Sequence, residues 1–273
     1  MGIGGGYIIG SITDFYTASN FPPVKNMAKS CTSGPAINVI YGLAVGYNST
    51  FVPILMIAII IVVNMSLLGF LGISFAAIGI LSTLCVELSI DAYGPICDNA
   101  GGISEMSELG ETVRTRTDAL DAAGNTTAAV GKGFAIASAA LVAFSLIGAF
   151  VRRGLITEDN PLIDITIINH WLFAGLIYGA MLPYIFSAFT MKSVGSAAKK
   201  MVAEVRRQFK NEAVRNGTEE PDYERCIKVS TWASLKEMIL PGLLVILTPI
   251  FFGLIFHNVV VLGILCGALV SGV

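Results

Sequence analysis

The sequence predicts an all-α fold, a polytopic transmembrane helical bundle with about six to seven spans. Three observations predict it. Mean hydropathy is +0.74 and only 13% of residues are charged, where a soluble globule carries roughly a quarter. Several apolar runs reach the ~20 residues that a helix needs to cross about 30 Å of hydrocarbon. Lysine and arginine are concentrated in one connecting segment, as the positive-inside rule requires of a cytoplasmic one.

Taken in chain order, Gly2 to Tyr16 reads as a short, glycine-rich helix end. Its opening, MGIGGGYIIG, has neither a basic region nor a small-residue cleavage pattern, so no cleavable signal peptide is expected. Phe51 to Leu71 and Ile73 to Leu88 are the next two spans, and residues 97–120 form a hairpin between membrane helices. Val130 to Val151 and Ile163 to Met191 follow as spans. Residues 191–237 are a basic loop holding ten of the 17 Lys and Arg residues, which places it in the cytoplasm. Counting spans backwards puts Lys25, Lys29, Arg114, Arg116 and Lys132 on the same side. Only Arg152 and Arg153 fall opposite, beside Glu158, Asp159 and Asp164. Met238 to Phe256 is another span, and Val259 to Val273 is apolar with no polar flank. Both termini read as cut, and residues 1–273 as a single transmembrane domain.

Five cysteines are scattered without a CxxC pair or a histidine partner, which argues against a disulfide framework and a zinc site. The net charge of −2 names no partner by itself, and no nucleic acid is expected. His170 and His257 read as structural. The glycosylation patterns at Asn48, Asn125 and Asn216 all fall on the cytoplasmic side and are discounted.

The chemistry concentrates around SIDAYGPICDNAGG, residues 89–102. Asp91 and Asp98 are seven residues apart, about 20° on a straight helix, although Pro95 bends it. On the next helix Asp118, Asp121, Asn125, Ala128 and Lys132 fall within an arc of about 80°. Polar residues near membrane depth are costly unless they face a cavity, a metal or one another. A donor set of oxygens without sulfur or imidazole suits Mg2+, and Lys132 could hold an anion that the metal also touches. Each residue also has a plainer reading. Asp98 or Asp118 could cap a helix N-terminus, Lys132 could snorkel to the interface, and Gly101 and Gly102 could be a simple turn.

DAYGPICDNAGGISEM, followed by RTDALDAAGNTTAAVGKGFAIASAAL, resembles the membrane-bound, ion-translocating inorganic pyrophosphatases. MLPYIFSAFTMKSVGSAAKKMVAEVRRQF and KEMILPGLLVILTP are similar to later segments of that family, so the resemblance runs along essentially the whole chain. It implies part of a sixteen-helix subunit, a homodimer in a lipid bilayer, hydrolysis of magnesium pyrophosphate, and pumping of H+ or Na+. Asp98 and Asn125 match the family's magnesium ligands. Asp91 and Asp121 match acids lining the same funnel, and Lys132 matches the lysine of the GKGF run; these three are grouped with the catalytic residues. Ala128 matches the position where potassium-dependent members carry alanine and potassium-independent members lysine, so K+ is expected as an activator. A vacuolar or acidocalcisomal membrane is expected over a plasma membrane.

The family's DVGADLVGK-type repeat and its late GDxxKD-type run are absent from the chain. The segment alone is therefore expected to be inactive. A truncated, non-catalytic fragment and an ion-coupled secondary transporter are the other readings; the second needs a repeat of the broken helix near Gly94 and Pro95. If the topology is right, a protein retaining Cys226 as its only cysteine will react with an impermeant maleimide from the cytoplasmic face of sealed, oriented vesicles. Labelling from the opposite face would reverse the assignment.

Overall fold

A computed structural model describes residues 1–155 and 165–273, which are almost wholly α-helical, with no strand among the described residues. Glu158, Asp159 and Asp164 lie outside the described residues. Among the described residues, four helical stretches are long and apolar enough to cross a membrane: Pro35–Thr83, Glu111–Arg153, His170–Gln208 and Tyr223–Ile255. The described chain divides into two compact units, residues 1–149 and 150–272.

In the first unit, α1 (Gly2–Thr17) and the short α2 (Pro22–Ser30) precede α3 (Pro35–Ile80). Helix α3 is broken at Gly69, whose φ of +62° and ψ of −148° lie in a region essentially reserved for glycine. The chain doubles back there. A Cβ on Gly72 would lie 2.7 Å from the Asn64 carbonyl oxygen, whereas eight residues of straight helix separate such atoms by about 12 Å of rise. The reversal at Gly69 divides α3 into two limbs, and it falls inside the run expected as the span 51–71. The second limb continues through a 3-10 turn, Leu81–Thr83, into α4 (Leu84–Met106), and α5 (Glu111–Phe150) returns.

Helix α1 owes its place to its glycines. Gly2 lies so close to the Ala76 carbonyl that a Cβ would overlap it. Cβ atoms at Gly5 and Gly6 would meet Ile60 Cδ1 at 2.5 Å and Phe134 Cε1 at 2.8 Å. Ile9, Ile60, Ile73, Ile80 and Leu141 are fully buried around this contact. Ser74 and Ser145 join α3 to α5 through a 2.7 Å hydroxyl hydrogen bond, and Phe70 packs against Gly148.

In the second unit, α6 (His170–Gln208) starts at Asn169, whose Oδ1 accepts from the amides of Trp171 at 3.0 Å and Leu172 at 3.3 Å. This is a side-chain N-cap. Helix α6 runs far past the apolar stretch, and α7 (Glu212–Arg215) and α8 (Tyr223–Glu237) follow. The basic segment 191–237 is therefore largely helical. Its lysines and arginines are spaced by intervening alanine, valine and isoleucine, which lets α6 and α8 pair. Glu204, only 7% exposed, anchors that pairing. It accepts from Arg207 Nη2 at 2.7 Å and Gln208 Nε2 at 3.0 Å, and pairs with Arg225 Nε at 3.1 Å. Gln208 in turn reaches the Asp222 backbone and, at 3.5 Å, Cys226 Sγ.

Helices α9 (Ile239–Ile255) and α10 (Asn258–Gly272) complete this unit. Two GxxxG pairs, Gly175 with Gly179 and Gly263 with Gly267, interlock across α6 and α10. A Cβ on any of the four would overlap a carbonyl of the opposite helix, at Val260, Ile264, Leu172 and Leu176 respectively. Small residues at such contacts let backbones approach, and van der Waals packing then supplies association that the hydrophobic effect cannot supply in lipid. Gly179→Leu should separate the two helices. Overpacking of this kind costs about 1–3 kcal/mol, so thermal unfolding in detergent should shift down by at least about 3 °C. Gly195→Leu, where a Cβ meets nothing within 4 Å, should leave it unchanged.

Candidate functional site

Helices α4 and α5 form an antiparallel hairpin closed by a four-residue turn. The turn follows from hydrogen bonding: the Leu109 amide donates to Ser104 O at 3.1 Å and the Glu108 amide to Glu105 O at 3.1 Å. That is a Schellman pattern, and it puts Glu108 at the left-handed position, φ +50°. Beyond the turn, Ser104 and Thr117 hydroxyls pair at 3.1 Å. Arg114 bridges the two helices, lying 3.3 Å from Glu105 and 3.5 Å from Asp118.

Deeper in the hairpin the helices touch through glycine. A Cβ on Gly124 would lie 3.0 Å from Gly94 Cα, and one on Gly94 would lie 3.6 Å from Ala128 Cβ. Gly131 abuts Asp91, with a Cβ there 2.9 Å from Asp91 Oδ1. These contacts orient the polar stripe. With Gly94 and Gly124 as zero, Asp98 and Asp91 lie about 40° and 60° round α4, while Ala128, Asp121, Lys132 and Asn125 lie about 40° to 100° round α5. Because the helices run in opposite directions, both rotations point to one side of the pair.

The expected residues thus lie on one side of the α4–α5 pair. Asp98, Asn125 and Lys132 are exposed there, and Asp91, Asp121 and Ala128 are half-buried. Asn125 Nδ2 donates to Asp121 Oδ1 at 2.9 Å and to Asp121 O at 3.1 Å. Its own Oδ1 is left to accept from, or coordinate, a ligand. Lys132 lies at the far edge, where it lines a cavity of about 190 Å³ with the hydroxyls of Thr13, Ser49 and Thr50. Asp118 is engaged by Arg114 instead.

Among the described residues no three His, Cys, Asp or Glu side chains converge as a metal cage. The oxygen set of Asp98 and Asn125 nevertheless fits Mg2+, which is commonly held by one or two protein ligands plus substrate phosphates and water. Sequence reasoning missed Arg114 with its two acids, and the glycine contact that aligns the helices. Gly94 and Gly124 were visible in the sequence, but their pairing depends on the turn length.

Comparison with known proteins bears on this arrangement. A family profile described as inorganic H+ pyrophosphatase matches residues 1–273. A relative in Clostridium tetani, assigned by name to the K+-stimulated pyrophosphate-energized sodium pumps, is 49% identical over 95% of this chain and 39% of its own length. A K+-insensitive pyrophosphate-energized proton pump of Moorella thermoacetica is 41% identical over 100% of this chain and 42% of its own. A K+-stimulated pyrophosphate-energized sodium pump of Thermotoga maritima is 38% identical over 100% of this chain and 38% of its own. The chain therefore spans about two fifths of the length of these relatives. Its apolar helices and these relatives make it part of an integral membrane protein.

The hairpin geometry can be checked directly. Cysteines replacing Ser104 and Thr117 should crosslink on mild oxidation, and adding Gly124→Val, which forces α4 and α5 apart, should cut the yield severalfold. Unchanged crosslinking would show that the glycine contact does not set the pairing.

Proposed function

The chain belongs to the inorganic H+ pyrophosphatase family, and on that premise we propose that the whole protein hydrolyses pyrophosphate and moves H+ or Na+ across its membrane. One observation carries the reading: a polar stripe with Asp98 and Asn125 exposed on it, along the α4–α5 hairpin, in a chain matched by the family over its full length. A pyrophosphate tetra-anion needs charge neutralisation above all, since phosphoryl transfer is mostly positioning and electrostatics.

In this reading Asp98 and Asn125 hold Mg2+, which would neutralise the phosphate oxygens and polarise them. Asp121 fixes the Asn125 amide by accepting from its Nδ2, so that the Asn125 carbonyl oxygen points outward. Asp91 and Asp121 line the funnel, and Lys132 offers an ammonium to the anion. Ala128 is the potassium determinant, which makes the protein K+-stimulated, like the pumps so named in Clostridium and Thermotoga. Residues 97–120 and 191–237 face the cytoplasm, and the working unit is a homodimer. The expectation of a vacuolar or acidocalcisomal membrane draws no support from the relatives, whose sources are bacterial. Residues 1–273 alone carry only part of the ligand set and should insert without hydrolysing pyrophosphate.

Asp98→Asn removes a charge from the proposed ion's shell and Asn125→Ala removes an oxygen. Mg2+ demands near-octahedral oxygen coordination, so pyrophosphate hydrolysis by membranes containing the intact protein should fall by about two orders of magnitude or more in both. Activity within about twofold of wild type at equal protein level would refute the ligand assignment.

A further inference from the structure

We propose that the cleft between α6 and α8 binds the phosphate headgroup of an anionic phospholipid at the membrane surface. The cleft has a volume of about 530 Å³, and its lining includes Lys200 and Arg207 from α6 with Trp232 and Lys236 from α8. Its height follows from hydropathy. Lys236 stands three residues before Ile239, where the apolar α9 begins, so it lies about 4.5 Å of helix rise outside that helix. Lys200 is rooted farther out on α6, yet its ammonium comes back to within 3.4 Å of Glu237 Oε1, on the residue next to Lys236. Both lysines thus reach the headgroup layer, which is about 5–7 Å deep on each face of a bilayer. The inference goes beyond the pump reading and needs only that the helices carrying the cleft cross the membrane, as their length and apolar character allow.

The charge of the cleft calls for an anion. Its lining carries three cations, Lys200, Arg207 and Lys236, against one acid, Glu204. That acid is already held by Arg207, Gln208 and Arg225. Lys236 is exposed and pairs with no acid among the described residues. Lys200 keeps two more N–H donors beside the one that meets Glu237, and Arg207 keeps Nη1 beside the Nε and Nη2 that Glu204 engages. Such donors suit phosphate oxygens, to which charge-assisted hydrogen bonds are short and strong. Trp232 makes the ligand a lipid. Its side chain is 72% exposed, one turn out from Lys236 on the same lining, and amphipathic indoles collect at the headgroup level of a bilayer. A free phosphate would use the cations alone, whereas the alcohol that extends outward from a lipid phosphate would also lie against the indole. With residues 191–237 on the cytoplasmic side, as proposed above, the cleft faces the leaflet that carries anionic lipid.

The test is thermal unfolding of the intact protein in a nonionic detergent, titrated with short-chain phosphatidylglycerol, with short-chain phosphatidylcholine, and with glycerol phosphate as the headgroup without acyl chains. A ligand that binds only the folded state raises Tm saturably. Wild type should show a saturable rise with phosphatidylglycerol, a smaller one with phosphatidylcholine, and none with glycerol phosphate over the same range. Lys200→Ala and Lys236→Ala should each raise the half-saturating phosphatidylglycerol concentration at least about fivefold, equivalent to about 1 kcal/mol. Lys236→Arg should restore it. Both lysines are exposed, so these variants should fold. Lys192→Ala is the control, because Lys192 follows Met191 at the end of the apolar run of α6 and lies outside the cleft. It should leave the half-saturation within about twofold of wild type. Equal responses to the two lipids would overturn the proposal. So would a Lys236→Ala half-saturation within about twofold of wild type. A Lys192→Ala shift as large as that of Lys236→Ala would replace the site with diffuse surface attraction, and glycerol phosphate acting at the same concentrations as the lipid would make it a site for soluble anions. Neither of these two results is compatible with a lipid cleft. Pyrophosphate hydrolysis plays no part in the readout, so the outcome stands or falls apart from the pump reading.

Discussion

Backbone-to-backbone contact at glycine is the constraint on which both units depend. Lipid tails are as apolar as leucine, so helices gain little by hiding side chains from them, and close packing has to supply the association. In the first unit Gly94 and Gly124 bring α4 and α5 together, and Gly2 seats α1 on the backbone at Ala76. In the second, the facing GxxxG pairs do the same for α6 and α10. Between α3 and α5 a hydroxyl pair, Ser74 with Ser145, adds a hydrogen bond beside the packing of Phe70 on Gly148.

The polar chemistry is a consequence of that packing. Because glycines occupy the α4–α5 contact line, the acids and amides beside them are turned to one side of the pair, with Asp91 alone among those acids and amides abutting a contact glycine, Gly131. The same contact leaves Asp91 half-covered, its Oδ1 without a donor among the described residues, whereas Asn125 Nδ2 donates to Asp121. Two carboxylates on one hairpin thus meet different environments.

Charge in the second unit works in the opposite manner. Glu204 is nearly buried yet is met by Arg207, Gln208 and Arg225, so its desolvation is offset by several charge-assisted hydrogen bonds. The cluster holds α8 against α6 and is structural. Exposed pairs such as Lys228 with Glu224 add little in comparison.

Sequence by itself determined the all-helical membrane class, because apolar run length and charge asymmetry are one-dimensional quantities and the bilayer reads them directly. It also determined the polar stripe of α5, since residues 118 to 132 lie on one uninterrupted helix where 3.6-residue arithmetic holds. Only the tertiary structure decided that the chain reverses at Gly69, that the basic segment is helical, that Arg114 takes Asp118, and that Asp91 ends against Gly131. Each of these depends on which residues meet across a turn. A shift of one residue in the α4–α5 register rotates every contact by about 100°, and that register is set by the Schellman turn and the fit of Gly94 to Gly124, neither of which periodicity encodes.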